Sequence, residues 1–139
     1  MEAICGDWML CGSDNLTAYL VALNVTEENI KKVTDAQEEA FKSGDTPKVQ
    51  ISKDGDTMTI KSHAWGDRVT SAKLGETFEH TAMDGRKGKL TYSMEGNTLL
   101  EVFEGEGLIS MNRRWIQEDK LVYTLTAKGI TTTRVYKKQ

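Results

Sequence analysis

From Lys48 to the C-terminus the chain is cut into short runs in which apolar and polar residues alternate: VQIS, TMTIKSHAW, RVTSAKL, TFEHTAM, GKLTYSM, TLLEVFE, LISMNRRWI, LVYTLTA and ITTTRVYKK. Turn signals separate them: Asp54-Gly55, Gly66-Asp67, Gly75, Asp84-Gly85, Glu95-Gly96-Asn97, Glu104-Gly105, Glu118-Asp119 and Lys128-Gly129. A period of two is the signature of a strand, and tight turns at near-regular spacing join strands antiparallel. The run ICGDWMLCG at 4–12 reads as one more strand, which brings the count to about ten. A meander of that length with two free edges would template aggregation, and closure into a barrel removes the edges. The chain is therefore expected to be all-β, a ten-stranded antiparallel up-and-down barrel forming a single domain over residues 1–139.

Between the first two strands the period changes to that of a helix. Ser13-Asp14-Asn15 is a helix-start cluster whose side chains can accept from orphan backbone N–H groups. Leu16, Tyr19, Leu20 and Leu23 follow at helical spacing, and Asn24 suits a chain reversal. Thr26 then caps a second helix, with Glu27 and Glu28 in the first turn, where the helix dipole favours negative charge. Ile30, Val33, Gln37 and Ala40-Phe41 share a face, and no breaker occurs before Ser43-Gly44-Asp45 and Pro47. The second helix should thus reach about Phe41. Two helices that cannot join the ladder are expected to cover one open end as a helix-turn-helix lid over about 14–43.

Composition narrows the function classes. A net charge of −3 with mixed signs lacks the basic patch of a general nucleic-acid binder. The start MEAICGDWML has neither a basic region nor a long apolar run, and no stretch approaches the ~20 apolar residues of a membrane span. A cytoplasmic location is the default expectation. Cys5 and Cys11, if on one strand, are ~20 Å apart at ~3.3 Å per residue, too far for a disulfide. They read as reduced thiols. The sequons at Asn15 and Asn24 read as chance matches. His63 and His80 are isolated, no Cys or His stands at metal-ligand spacing, and no nucleophile motif or phosphate loop is recognisable. Neither a metal nor a cofactor is expected, and the chain does not read as an enzyme. Thr57, Thr59, Thr91, Ser93, Thr124, Thr126, Thr131 and Thr133 are more hydroxyl than a dry core tolerates, which points to a partly wet interior.

Four ordered blocks then resemble one family. Gly6-Asp7-Trp8-Met9-Leu10 with Asn15 and Tyr19 is similar to the start of the intracellular lipid-binding proteins, which include the fatty-acid-binding and cellular retinoic-acid-binding proteins. Lys73-Leu74-Gly75-Glu76-Thr77-Phe78-Glu79, Asp84-Gly85-Arg86-Lys87 and Thr133-Arg134-Val135-Tyr136 are similar to three later blocks of that family. Leu16, Asn24 and Ala72 depart from its pattern, and the segment from Val25 to Pro47 is several residues longer. The resemblance covers nearly the whole chain and implies the β-clam form of the calycin barrel, with a lipid inside.

The resemblance also implies a carboxylate site of Arg114, Arg134 and Tyr136. Arg134 and Tyr136 are two apart and share a strand face. A guanidinium is a planar fork of permanently charged donors that matches a carboxylate, and a tyrosine adds a neutral donor. Arg114 precedes Arg134 by 20 residues, the interval the resemblance implies. Periodicity alone pulls toward Arg113, which would carry Met111 and Trp115 inward, whereas Arg114 carries Asn112 and Ile116. Arg114 is the preferred reading. Leu121, Tyr123, Leu125 and Thr132 should line the cavity, Trp8 should pack the barrel floor, and Val33 and Trp65 stand at the portal. Ile30, Val33 and Phe41 should pack the lid onto the barrel.

The expectation is a monomeric carrier of a long-chain fatty acid, or similar hydrophobic acid, held non-covalently for solubilisation and transport. The alternatives are a retinoid-acid carrier and a membrane-interacting or scaffold protein that uses the lid, with Lys31, Lys32, Lys42 and Lys48 offering a basic rim diluted by glutamates.

Overall fold

The computed structural model describes residues 2–63, 67–81 and 86–139. A 3-10 turn, Glu2–Ile4, leads into β1 (Gly6–Asp14), then α1 (Leu16–Ala22) and α2 (Glu27–Ser43). The strands β2 (Lys48–Asp54), β3 (Thr57–His63), β4 (Asp67–Lys73), β5 (Thr77–Thr81), β6 (Lys87–Glu95), β7 (Thr98–Gly105), β8 (Leu108–Gln117), β9 (Lys120–Ala127) and β10 (Ile130–Lys138) follow. These ten form one antiparallel sheet in the order β4-β3-β2-β1-β10-β9-β8-β7-β6-β5. β1 pairs with both β2 and β10, which curls the sheet into a nearly closed barrel with its seam between β4 and β5. The seam is bridged by side chain and turn. Arg68 Nη2 on β4 donates to the Thr81 carbonyl on β5 at 2.5 Å. Gly75, in the β4–β5 turn, donates its N–H to the Tyr92 carbonyl of β6 at 2.7 Å.

Two-residue turns set the register of the C-terminal strands, because each closes a pair directly opposed in the ladder. Ala127 faces Ile130 across Lys128-Gly129, whose φ angles of 52° and 77° are the left-handed pair that matches strand twist. The turn expected at Glu104-Gly105 lies two residues later, at Glu106-Gly107, since Gly105 still pairs with Leu108. Gly105 has a different task. A Cβ there would sit 2.4 Å from the Lys87 carbonyl oxygen and 2.7 Å from the Gly88 Cα, so β6 and β7 approach backbone to backbone.

The helices form as the sequence indicates, with one exception. Thr26 Oγ1 accepts from the Asn29 N–H at 3.3 Å, and Asn24 turns the chain at φ 62°. α2 runs to Ser43 and ends on Gly44 in the left-handed region. The exception is Asn15. It sits at φ 63° and caps nothing with its side chain; its Nδ2 donates instead to the Thr131 carbonyl of β10 at 3.0 Å, pinning the helix start to the wall.

Two apolar clusters close the two ends. At the floor Trp8, Leu10, Ile51, Leu90, Leu99 and Leu121 are almost fully buried, and Trp8 Nε1 donates to the Ile4 carbonyl at 2.9 Å. At the lid Tyr19 packs with Leu108 and Ala127, flanked by Leu20, Leu23 and Leu125. Phe41 does not dock as expected: it is 39% exposed, and Ala40 takes the half-buried position in the last turn of α2, continuing the face of Ile30, Val33 and Gln37. The eight hydroxyl residues read as signs of a wet interior all lie on the strand face opposite the buried residues. They form exposed cross-strand pairs such as Thr59–Ser71, Thr77–Thr91 and Thr126–Thr131. Threonine's β propensity and its hydroxyl suit the outer surface of a twisted sheet.

Candidate functional site

The polarity of the interior comes from other residues. On β8 the buried side chains are Ser110, Asn112 and Arg114, while Met111 is exposed and Arg113 half-exposed. Ile116 continues the inner face as a half-buried contact of the floor. Arg114 therefore points inward. Arg114 pairs with Tyr123 on β9, and Tyr123 pairs with Arg134 on β10, which in turn faces Ser13 on β1. Strand alternation and in-register pairing thus place Arg114, Tyr123 and Arg134 in one lateral row. The two arginine Cα atoms stand two strand spacings, roughly 10 Å, apart.

The two guanidinium groups have different partners. Arg114 Nη1 donates to Glu101 Oε2 on β7 at 2.9 Å, with side-chain exposures of only 8% and 12%. Tyr123 donates its hydroxyl to the same oxygen at 3.1 Å. The Arg114 guanidinium lies over the Tyr123 ring at 3.7 Å, a cation–π stack strengthened by burial. Burial opposes the charge on Arg114, but Tyr123 and Glu101 outweigh it and hold the group firmly protonated. Burial pushes the Tyr123 and Tyr92 phenols up, so both remain neutral hydroxyls. Arg134 has no such counter-charge among the described residues. Its Nη1 donates to Ser13 Oγ at 3.3 Å and to Gln37 Oε1, from α2, at 3.0 Å. Tyr136, two residues on, is buried on the same face.

The remaining expected residues fall around this row. Leu121 and Thr132 are fully buried, and Thr132 Oγ1 donates to the Asp14 carbonyl at 2.6 Å. Leu125 is half-buried beneath the lid. Asn112 Oδ1 accepts from Ser110 Oγ at 3.0 Å, which in turn meets the Tyr19 hydroxyl of α1 at 3.3 Å. Val33 is half-buried on α2. Trp65 lies outside the described residues. Glu101 and Tyr92 were not singled out by sequence, and Gln37 was placed on the shared face of α2 without a role in the site. For Glu101 the signal was there: Leu99 and Phe103 flank it at two-residue spacing and both face inward. Among the described residues no group of three His, Cys, Asp or Glu side chains is placed to hold a metal. Cys5 and Cys11 form no disulfide. No helix of the described residues is long and apolar enough to cross a membrane.

A ten-stranded clam with a helix-turn-helix between its first two strands, and buried arginines inside, defines the intracellular lipid-binding class. The relatives agree. Fatty acid-binding protein 9 of Homo sapiens is 30% identical over 99% of this chain and 98% of its own length. A fatty acid-binding protein of Tyrophagus putrescentiae is 32% identical over the full length of both. Among solved structures, the REP1-NXSQ fatty acid transporter superposes with a TM-score of 0.87 at 28% identity, covering 100% of this chain and 98% of the other. The wild-type fluorescent protein UnaG superposes at 0.83 with 32% identity, covering 99% and 98%. No family model matches the sequence. The chain belongs to the fatty-acid-binding protein family.

Proposed function

We propose that this protein is a non-catalytic carrier that encloses one long-chain fatty acid, or a closely similar lipid acid, and holds its carboxylate at Arg134 and Tyr136, on the open side of the cluster of Arg114, Arg134 and Tyr136. The observation that carries the reading is the environment of Arg134. It is a buried guanidinium whose described partners, Ser13 and Gln37, are neutral. A buried charge without a counter-charge is costly, and an acid ligand supplies one. Among the described residues of this row and its neighbour on β7, Arg114 and Arg134 stand against Glu101, an excess of one positive. Tail burial drives affinity at ~0.8 kcal/mol per CH₂. On this reading Asn112, Ile116, Leu121, Tyr123, Leu125 and Thr132 line the cavity, and Val33 stands at its entrance.

The test is binding of hexadecanoic acid, its alcohol and its methyl ester to delipidated protein. Charge-assisted hydrogen bonds are worth about 1.5–3 kcal/mol. Arg134→Gln should therefore weaken the acid by roughly ten- to a hundredfold and leave the alcohol and ester nearly unchanged. Equal loss for all three ligands would remove the carboxylate from the account. A retinoid acid fits the same charge arithmetic, so competition between the two acids sets the preference.

A second reading gives the lid transient contact with a bilayer, in a cytoplasmic monomer. Val21, at 59% exposed, and Phe41 present apolar surface there. The basic rim offers less, because Lys31, Lys32 and Lys42 each pair with an acidic residue one turn away. Vesicle pelleting with and without anionic lipid measures this contact directly.

A further inference from the structure

Resting on the carrier reading, we infer that Glu101 is a specificity-determining residue: a resident counter-ion that occupies Arg114, limits the interior to a single acid head group and directs that head group to Arg134. Arg114 is the deeper cation in chemical terms, because its charge is answered from two sides. Glu101 Oε2 lies 2.9 Å from its Nη1, and the same oxygen is fixed by the Tyr123 hydroxyl at 3.1 Å. The guanidinium also lies over the Tyr123 ring, 3.7 Å from its centroid. An incoming carboxylate that reached Arg114 would have to break the pair and leave Glu101 buried and unpaired beside a second anion. Like charges in a low-dielectric site repel strongly. At Arg134 the same carboxylate displaces only the neutral oxygens of Ser13 and Gln37. It exchanges neutral acceptors for an anionic one, which strengthens the hydrogen bonds. Arg68 lies on the same strand face, but at the exposed seam, where it is engaged with the Thr81 carbonyl.

Glu101 is therefore the residue that makes two buried arginines behave as one anion site. Neutralising it should expose a second cation to ligand. The probe is hexadecanoic acid, with hexadecanol as control, against delipidated wild-type protein, Glu101→Gln, Arg134→Gln and the paired variant Glu101→Gln/Arg114→Gln. Glu101→Gln should bind the acid at least fivefold more tightly and the alcohol unchanged. The paired variant removes both charges at once, so it avoids an orphaned ion and keeps the experiment interpretable if a single variant unfolds. It should bind the acid within about threefold of wild type, whereas Arg134→Gln should lose tenfold or more. Thermal unfolding of each empty variant verifies that it is folded. A tenfold loss of acid affinity in the paired variant would overturn the inference, since Arg114 would then hold the carboxylate itself. A Glu101→Gln variant no tighter than wild type would overturn it as well. Wild-type protein that takes up no acid would instead sink the carrier reading, and this inference with it.

Discussion

The floor of the barrel and its lid are both closed by apolar side chains, yet they are attached in different ways. At the floor Trp8, Leu10, Leu99 and Leu121 come from three strands, β1, β7 and β9, of one continuously paired sheet. Loosening any one of them disturbs its neighbours. The lid is joined at points. The ends and middle of α1 are tied by Asn15 to the Thr131 carbonyl, Tyr19 to Ser110, and the Leu23 carbonyl, which accepts from Arg86 at 3.0 Å. α2 is longer but less anchored, with Ile30 as its one buried residue among those described and Gln37 hydrogen-bonded to the wall. Local opening free energies follow such differences in burial and exposed hydrogen bonding. The fold therefore separates a part that stores stability from a part that can open for a ligand.

The largest effect expected from this contrast is at the floor. Leu121→Ala should cost about 2–5 kcal/mol, because Leu121 is wholly buried and the ladder prevents collapse around the void. Ile30→Ala, on the lid, should cost only about 1 kcal/mol. Urea unfolding of both variants measures the pair, and equal losses would erase the distinction between floor and lid. Next comes the polar tie of α1. Tyr19→Phe removes its bond to Ser110 and should cost about 0.5–1.5 kcal/mol. Hydrogen exchange should then rise across α1 before it rises in β8.

A pH dependence should come from the wall beside the seam, and the lid should contribute little to it. His80 lies on the inner face of β5, edge-on to Phe78 and Phe103 at 6.1 and 6.2 Å. Burial, and then the nearby Arg68, hold its pKa below the ordinary value of 6.5, with Glu101 opposing weakly. The folded state thus resists a proton that the unfolded chain accepts. Stability should fall as pH drops below about 6.5 and level off once the folded-state pKa is passed. His80→Phe should flatten that stretch of the stability curve, while an unchanged slope would assign it to other groups.

The ten strands were legible because turn residues cut the sequence at regular intervals, and the lid because Thr26, Asn24 and Gly44 are local signals. The inward register of Arg114 came from its interval to Arg134, against the apolar pull of Met111 and Trp115. Those two lie on the outer face of β8, Met111 exposed and Trp115 partly so, and apolar residues on the outside of a sheet are common. What could not be read was partnership. Alternation with Leu99 and Phe103 turns Glu101 inward, but only the fold brings it to Arg114 on the neighbouring strand. The outward threonines misled for a related reason: period-two alternation fixes that two faces differ, and the pattern had to be assigned to the correct one.

The smallest expected effect is also the sharpest test of the boundary between lid and site. Gln37 Oε1 accepts from Arg134 Nη1 at 3.0 Å, so the long helix touches the guanidinium that the carrier reading assigns to the ligand. The bond joins a point-attached helix to a wall that is stable without it, and Arg134 keeps Ser13 as a partner. Gln37→Ala should therefore leave global stability within about 0.5 kcal/mol. It should free Arg134 from a competitor, so hexadecanoic acid should bind no more weakly than to wild type, with a gain of at most about tenfold, ~1.4 kcal/mol. Uptake and release should both quicken, because α2 loses its tie to the interior. Glu38→Ala, one residue on and exposed, should change none of these. Stopped-flow exchange together with equilibrium titration separates the two readouts. A Gln37→Ala variant that loses acid affinity as steeply as Arg134→Gln would mean that α2 helps to build the head-group site, and the line drawn between floor and lid would have to move to include it.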